Sequence, residues 1–328
     1  MAILRLHHRL SIAVITAFVP LVSQADLYSL KIENDIIASG SDGHYTNGVE
    51  LMRSFEPEAD HWTRLFAGSL PDGFLSDIDN IAYRFGHQIY TPNEIETPEL
   101  IENDRPYAGL LFVGVSMFDD VAHAGWREVS GLHMDVGLVG PGAGGKRIQR
   151  AVHKATNSDE PRGWDNQLSN EPFINVGYQK RWWLQQRFAG LELEYGPSLG
   201  VSLGNLYTYG SVGLGLRIGQ SLERSFSLPA VAPAQGGSMY FDRGGGFAWS
   251  LFANLEGRYM AHNMLLDGNT FTDSHSVDSH EWVGDAKTGV ALTWNSWQLA
   301  FASVWRTREF HGQNEHDQFG SLTLSAWF

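Results

Sequence analysis

Five polar residues in the first half of the sequence have the side-chain types needed to hydrolyse an ester with activated water. They are Asn34, Asp35, Thr46, Gln149 and His153. A neutral histidine can take a proton from water, and carboxylate and amide oxygens can ligate a hard cation such as Ca²⁺. The cation and amide donors can then stabilise the oxyanion that forms at the ester carbonyl. An Asn-Asp pair alone more simply caps a turn, so the prediction depends on all five residues converging.

The elements that must position these residues are predicted to be β-strands. The segment 320–328 alternates apolar residues with mostly polar ones, which is typical of the closing strand of an outer-membrane barrel. Eleven earlier segments have strand composition, so we predict an all-β fold, a transmembrane antiparallel β-barrel of twelve strands. A soluble β-sandwich would also be rich in glycine. The predicted strands are 27–34, 45–55, 81–90, 107–118, 127–139, 173–183, 188–201, 206–218, 247–262, 277–294, 297–309 and 319–328.

An even number of strands places both termini at the periplasmic end and the longest connection, 140–172, outside. Asn34, Asp35 and Thr46 then lie at the same outer rim as this connection. Two features fit less well: the connections 56–80 and 219–246 are long although the count makes them periplasmic. A missed strand in either would change the count. The short turn Asn295-Ser296 is assigned to the outer end.

The outer connection contains a predicted short helix around residues 146–156. A glycine-rich run precedes it, and Gln149 and His153, four residues apart, share one of its faces. Ile148 and Val152 are expected to form an apolar face that docks on the barrel wall. A basic helix in an acidic protein suits an anionic lipid head group. Its basic residues are Lys146, Arg147, Arg150 and Lys154.

The first 25 residues resemble a secretory signal peptide, and the barrel is assigned to residues 26–328. Arg5 and Arg9 form a basic start, an apolar stretch follows, and Ala25 precedes the expected cleavage site. Cleavage would remove both arginines and change the formal net charge from −14 to −16. Such an acidic chain lacks the basic surface that nucleic acid binding requires. The absence of cysteine excludes a disulfide framework and thiol chemistry.

Several motifs resemble the outer-membrane lipid A 3′-O-deacylase family. The similarity extends over most of the chain and is densest from residue 27 to residue 167. The most specific stretch combines Gly-Pro-x-Ala-Gly-Gly with the downstream Gln149 and His153. The matching segments are Ile32-Glu33-Asn34-Asp35, Tyr45-Thr46-Asn47-Gly48, Gln88-Ile89-Tyr90-Thr91-Pro92, Asp104-Arg105, Asp135-Val136-Gly137-Leu138-Val139-Gly140-Pro141, Ala143-Gly144-Gly145 and Trp164-Asp165-Asn166-Gln167.

This resemblance implies an active site between the outer wall of a twelve-stranded barrel and an external-loop helix, with a Ca²⁺-dependent mechanism. His153 would be the general base, and Asn34 and Asp35 would serve the cation and the oxyanion. Thr46 would line the site, and Gln149 would position the substrate or the metal.

Two departures from the family pattern concern the metal and the substrate. The family has an acidic residue six positions after the histidine, and Asp159 occupies that position here, so it joins the expected metal ligands. A basic pair expected after the Tyr-x-Pro segment is absent, because residues 93–97 read Asn-Glu-Ile-Glu-Thr. We expect Lys146, Arg147, Arg150 or Arg105 to bind the substrate phosphates instead.

The expected function is removal of an ester-linked 3′-O acyl or acyloxyacyl chain from lipid A, the membrane anchor of lipopolysaccharide, by a monomer in the outer membrane. One alternative is an outer-membrane phospholipase A, which would use a reactive serine with a histidine and an asparagine. The other is a non-catalytic porin or adhesin, in which the residues at the rim only cap hairpins.

Overall fold

The computed structural model describes residues 26–35, 44–71, 73–75, 77–225, 228–229 and 240–328. In this part of the chain, twelve antiparallel strands form a closed barrel in which each strand pairs with its neighbours in sequence and the first pairs with the last. The predicted twelve-stranded fold is therefore confirmed, whereas the expected signal peptide lies outside the described residues. The strands are β1 (Leu27–Asn34), β2 (His44–Phe55), β3 (Asn80–Thr91), β4 (Ala108–His123), β5 (Trp126–Val139), β6 (Glu171–Phe188), β7 (Leu191–Gly204), β8 (Tyr207–Gln220), β9 (Phe247–Asn263), β10 (Trp282–Trp294), β11 (Trp297–Arg306) and β12 (Asp317–Trp327).

Three short helices accompany the strands in the described residues: α1 (Trp62–Ala67), α2 (Gly145–Thr156) and α3 (Met264–Asp267). None of the described helices is long and apolar enough to cross a membrane. The predicted helix in the longest outer connection is confirmed as α2.

The two faces of the strands differ because alternate side chains point to opposite sides of the sheet. On β4, Val113 points outward and is 51% exposed, whereas Ser116 points inward and is fully buried. The interior holds buried ion pairs, such as Arg84 with Glu50 and Asp135. A cavity of about 70 Å³ remains beside them, lined by polar residues that include Lys31, Gln88 and His133.

The two ends of the barrel carry different connections. One end, here called the turn end, has the start of β1, the end of β12 and two-residue turns at 124–125, 189–190 and 295–296. The opposite loop end carries the long connections 92–107, 140–170, 264–281 and 307–316. Outer-membrane barrels place their short turns in the periplasm, so the loop end is expected to face outward. The assignment of Asn295-Ser296 to the outer end was wrong, because an even-numbered strand precedes it. Ser296 O accepts a hydrogen bond from Trp327 N over 3.0 Å at the turn end.

The two long connections at the turn end add no strand in their described residues, so the count of twelve stands. The connection after β2 carries α1 and packs on the outside of the barrel. The connection after β8 enters the interior, where Ser225 O accepts a hydrogen bond from Arg217 Nη2 (2.8 Å) and Pro229 O accepts one from Lys287 Nζ (3.0 Å).

The barrel closes at the seam between β1 and β12. Eight residue pairs join these strands, from Leu27 opposite Trp327 to Asn34 opposite Gly320. Asp26 and Phe328 extend the seam by exchanging two backbone hydrogen bonds of 3.0 Å.

Candidate active site

Helix α2 lies against the outer wall of the barrel because glycines allow a very close approach to β4. A Cβ atom on Gly109 would come within 3.0 Å of the Gly145 nitrogen. Gly144, at the start of the helix, has a φ of 79°, a conformation that favours glycine. His87 of β3 adds a contact from the wall, with its Nε2 3.0 Å from Ala143 O.

The polar face of α2 contacts the barrel, and the apolar face points away from it. Gly145, Gln149 and His153, spaced four residues apart, are the buried residues of the helix. Ile148 and Val152 are 39% and 50% exposed. The prediction that these two residues dock on the wall was therefore wrong. Outside a membrane barrel the surrounding medium is hydrocarbon, so apolar side chains can face away from the protein without cost.

The imidazole of His153 is oriented by the chain that follows the helix. Asn157 has a φ of 58° and ends α2, which turns the chain back along the helix. The main-chain oxygen of Asp159 then lies 2.6 Å from His153 Nδ1. A carbonyl oxygen can only accept, so Nδ1 carries the proton and Nε2 has the basic lone pair of the neutral ring. The Asp159 side chain is exposed, and its contact with the histidine is through the main chain.

Gln149 is held by a tryptophan whose role was missed in the sequence. Trp164 is fully buried, and its indole Nε1 donates to Gln149 Oε1 over 2.7 Å. Its ring packs on Tyr107 with centroids 5.0 Å apart, and Ile89 of β3 belongs to the same cluster. The Gln149 Nε2 group is buried with no hydrogen-bond partner among the described residues. A buried, oriented N–H donor is thus available next to His153 on the helix. Trp164 lies in one of the matching motifs, but nothing in the sequence shows that it holds a glutamine.

The outer wall carries polar residues at the loop end of β1, β2 and β3. Asn34 continues the outward row of Leu30 and Ile32, and its Nδ2 donates to Thr46 O. The pairing of β2 with β3 is irregular between Tyr45 and Asn47, where Thr46 is the extra residue.

Thr46 extends this polar area from β2 to β3. Its hydroxyl lies 2.8 Å from the hydroxyl of Thr91, a second residue missed in the sequence. Asp35, directly after Asn34, is only 3% exposed.

These observations place the five predicted residues on one side of the barrel and at one end. β1, β2 and β3 are consecutive in the barrel, and α2 rests on β3 and β4. Asn34 and Thr46 of the wall therefore lie at the loop end of strands that neighbour the ones carrying Gln149 and His153 on α2, and the buried Asp35 directly follows Asn34.

The predicted basic residues divide into two groups. Lys146 and Arg150 lie on α2, and Lys146 Nζ is 2.6 Å from Asp165 Oδ1. The hydrogen bond from Lys146 lowers the pKa of the Asp165 carboxyl. Arg105 was wrongly assigned to the substrate, because it is 2% exposed and lies inside the barrel over the ring of Tyr90. Its connection folds inward, where its guanidinium lies 3.7 Å from Glu309.

The side-chain oxygen atoms of Asn34 and Asp35 are of the chemical types that bind calcium. Ca²⁺ prefers carboxylate, amide and main-chain oxygens, and this corner offers the buried Asp35 carboxylate and the Asn34 amide oxygen. Because the Asn34 Nδ2 atom donates to Thr46, its Oδ1 atom keeps the role of acceptor. In the described residues, no group of three or more His, Asp or Glu side chains could hold a metal ion by itself.

The chain was compared with solved structures, curated proteins and family models, and the LpxR structure shares its architecture. LpxR from Salmonella typhimurium superposes with a TM-score of 0.74 and 19% sequence identity, covering 92% of this chain and 100% of that chain. The beta domain of the Bordetella autotransporter Brka gives a TM-score of 0.46 with 8% identity, covering 93% of this chain and 99% of that one. No curated protein matches the sequence. The family model described as "Outer membrane protein LpxR" matches residues 10–328. The chain therefore belongs to the LpxR family of bacterial outer membrane proteins.

Proposed function

We propose that this protein hydrolyses an ester-linked acyl chain of lipid A at the outer leaflet of the outer membrane. The observation that carries the proposal is the buried imidazole of His153. It is oriented by a main-chain carbonyl and lies on the same buried face of α2 as Gly145, which touches the outer wall, and Gln149. A base in this position can reach a substrate that stays in the membrane. Membership of the LpxR family and the motifs shared with lipid A 3′-O-deacylases support the same substrate class.

In the proposed reaction, His153 Nε2 takes a proton from a water molecule, and the resulting hydroxide attacks the ester carbonyl. The Gln149 Nε2 group donates a hydrogen bond to the oxyanion that forms. The tetrahedral intermediate then collapses: the bond to the sugar oxygen breaks, and the protonated His153 returns its proton to that oxygen. The products are a free fatty acid and a sugar hydroxyl. Thr46 lines the wall beside the reacting carbonyl.

Calcium, when bound by Asn34 and Asp35, would supply positive charge that stabilises the oxyanion. A carboxylate oxygen and an amide oxygen are ligand types that Ca²⁺ prefers, which supports this assignment.

The surface of α2 fits an amphiphilic substrate with anionic head groups. Ile148 and Val152 can lie against acyl chains, and the basic residues of the same helix can approach phosphates. Lipid A combines phosphorylated sugars with several acyl chains. The helix therefore offers both kinds of contact around His153.

Mass spectrometry of lipid A tests the proposal. Cells that express the wild type are expected to contain lipid A lighter by one acyl or acyloxyacyl group, and cells that express His153→Ala are expected to retain the full mass. His123→Ala is the matched control, because His123 is exposed at the turn end and stacks on Trp126. This variant is expected to behave like the wild type. Unchanged lipid A with a correctly inserted wild-type barrel would refute the assigned substrate.

A serine-directed covalent inhibitor separates this proposal from a phospholipase A that uses a serine nucleophile. The proposed reaction has no acyl-enzyme intermediate, so the inhibitor is expected to leave the rate unchanged. Loss of activity together with labelling of one serine would favour the phospholipase instead.

A further inference from the structure

The outer wall at the turn end has buried side chains where lipid-facing residues are expected. Ile81 of β3 and Met117 of β4 are 0% exposed, and Leu132 of β5 is 6% exposed. All three belong to outward-facing rows, because side chains alternate along each strand. Other members of these rows are bare: Phe85 is 49% exposed, Val113 51% and Val136 47%. Another part of the chain must therefore cover the wall at the turn end.

The cover is the stretch 57–79, here called the α1 segment, of which residues 57–71, 73–75 and 77–79 are described. Ala67, Leu75 and Ile78 form one apolar cluster with the three buried wall residues. At its far side, Tyr178 Oη of β6 donates to Phe74 O over 2.9 Å, and Lys180 Nζ donates to Gly73 O over 3.1 Å. The α1 segment thus crosses the outside of the barrel from β3 to β6.

The α1 segment also exposes three large apolar side chains, between the exposed acidic residues Asp60 and Asp77. Leu65 is 74% exposed, Trp62 45% and Phe74 41%. Trp62 keeps its indole N–H satisfied on the wall, where it donates to Tyr83 Oη over 3.1 Å. The one basic residue of helix α1, Arg64, is paired with Asp77. Large apolar side chains on the outside of a membrane barrel are covered by lipid when they lie within the depth of the bilayer.

The depth of the α1 segment follows from the spacing along β3. Ile81 lies under the α1 segment, and Ile89 lies under Trp164, next to α2. The eight residue steps from Ile81 to Ile89 span about 27 Å along the strand, or about 20 Å of membrane depth at the usual strand tilt. The apolar band of an outer-membrane barrel is about 25 Å tall. If α2 lies at the outer interface, the α1 segment lies at the inner one, below the same side of the barrel.

We propose that the α1 segment is a membrane anchor that inserts Trp62, Leu65 and Phe74 among the phospholipids of the inner leaflet. Aromatic and aliphatic side chains on one face are typical of segments that lie in a membrane interface. The occupant of this surface is lipid because the surface continues the bare outer wall above it. The inference stands apart from the proposed deacylation, since it uses neither His153 nor its neighbours.

Site-directed spin labelling tests the anchor, and the chain has no cysteine to remove. Leu65→Cys carries the label, Leu214→Cys on the bare wall (62% exposed) is the lipid-exposed reference, and Ala124→Cys in an exposed turn is the aqueous reference. The labelled barrels are reconstituted in bilayers of phosphatidylethanolamine and phosphatidylglycerol. Collisions with oxygen and with a water-soluble nickel chelate are then measured at each label.

The label at Leu65 is expected to resemble that at Leu214, with oxygen favoured over nickel, and the order is expected to invert at Ala124. Preference for nickel at Leu65 would place the α1 segment in water and overturn the proposal. Dipolar broadening between labels at Leu65 would also overturn it, because the face would then contact a second copy of the chain. Heat-modifiable migration of each variant checks that the barrel has folded.

Discussion

Two sides of the same barrel meet the membrane in different ways. Across β7, β8 and β9, the outward rows are apolar and bare, with Leu199 51%, Val212 60% and Leu255 61% exposed. Across β1, β2 and β3, the loop end instead carries Asn34 and Thr46 on the outside, near a helix that buries His153. A barrel needs only apolar residues on its lipid face, and polar ones there are costly. The polar corner is therefore the region in which the proposed function can be tested.

Calcium removal is the strongest test of the polar corner. A calcium chelator is expected to lower the deacylation rate by about 10³-fold or more, since a bound cation supplies several kcal/mol of charge stabilisation. Added Ca²⁺ should restore the rate in the wild type, and Asp35→Asn should need more of it. A rate that the chelator leaves unchanged, measured by fatty acid release, would remove calcium from the mechanism.

Loss of the unpaired amide donor should have the next largest effect. Gln149→Met keeps the length of the side chain but removes the N–H group that we propose donates to the oxyanion. We expect kcat to fall by about 10²–10³-fold with little change in KM, because this contact strengthens in the transition state. An effect confined to KM would show that Gln149 only binds the ground state.

A smaller effect is expected when the Gln149 amide loses the hydrogen bond from Trp164 that fixes its orientation. Trp164→Phe keeps most of the packing but deletes the indole donor to Gln149 Oε1. The expected fall in kcat is about fivefold, which corresponds to about 1 kcal/mol for one hydrogen bond. In Gln149→Met the same change should have no further effect on kcat. Additive losses in this double-mutant cycle would contradict the positioning role.

A substitution on the bare wall of β7, β8 and β9 should instead lower the stability of the barrel and leave catalysis unchanged. Leu214→Lys places a charge near the middle of β8 and should lower the free energy of unfolding by about 2–4 kcal/mol. The kcat of the folded fraction should equal that of the wild type. Denaturant unfolding in lipid vesicles measures the first quantity, and a reduced kcat would indicate that the two walls are coupled.

Much of the fold could be predicted because alternation is a local signal. Every predicted strand overlaps an observed one, although some ends differ by up to five residues. The ends are harder because the turn depends on backbone conformation: the β6–β7 turn lies at Ala189 and Gly190, where φ is 51° and 81°. The polar residues just before this turn, Gln185, Gln186 and Arg187, are not turn-forming types and do not mark its position in the sequence.

Candidate site residues could be chosen from the sequence, but their arrangement in space could not be predicted from it. The predicted orientation of α2 followed the rule for a helix in water, in which the apolar face packs on the protein, whereas the structure buries Gln149 and His153 and exposes Ile148 and Val152. Arg105 was assigned to the substrate because of its charge. The sequence does not show that the connection carrying Arg105 folds into the barrel. Trp164 and Thr91 act through single hydrogen bonds across the chain, and no periodicity reveals such contacts. The roles of Asn34, Asp35, Thr46, Gln149, His153 and Asp159 in catalysis or metal binding remain predictions.

The seam between β1 and β12 gives this architecture a consequence for biogenesis. Asn34 lies on β1 opposite Gly320 of β12, so the polar corner borders a junction between segments nearly 300 residues apart in sequence. Contacts this distant form late in folding, because the intervening chain must be ordered first. A partly inserted barrel would then lack the completed seam beside Asn34. The proposed lipid A hydrolysis would then begin only after the barrel has closed in the membrane. Immature chains would not hydrolyse the surrounding lipid.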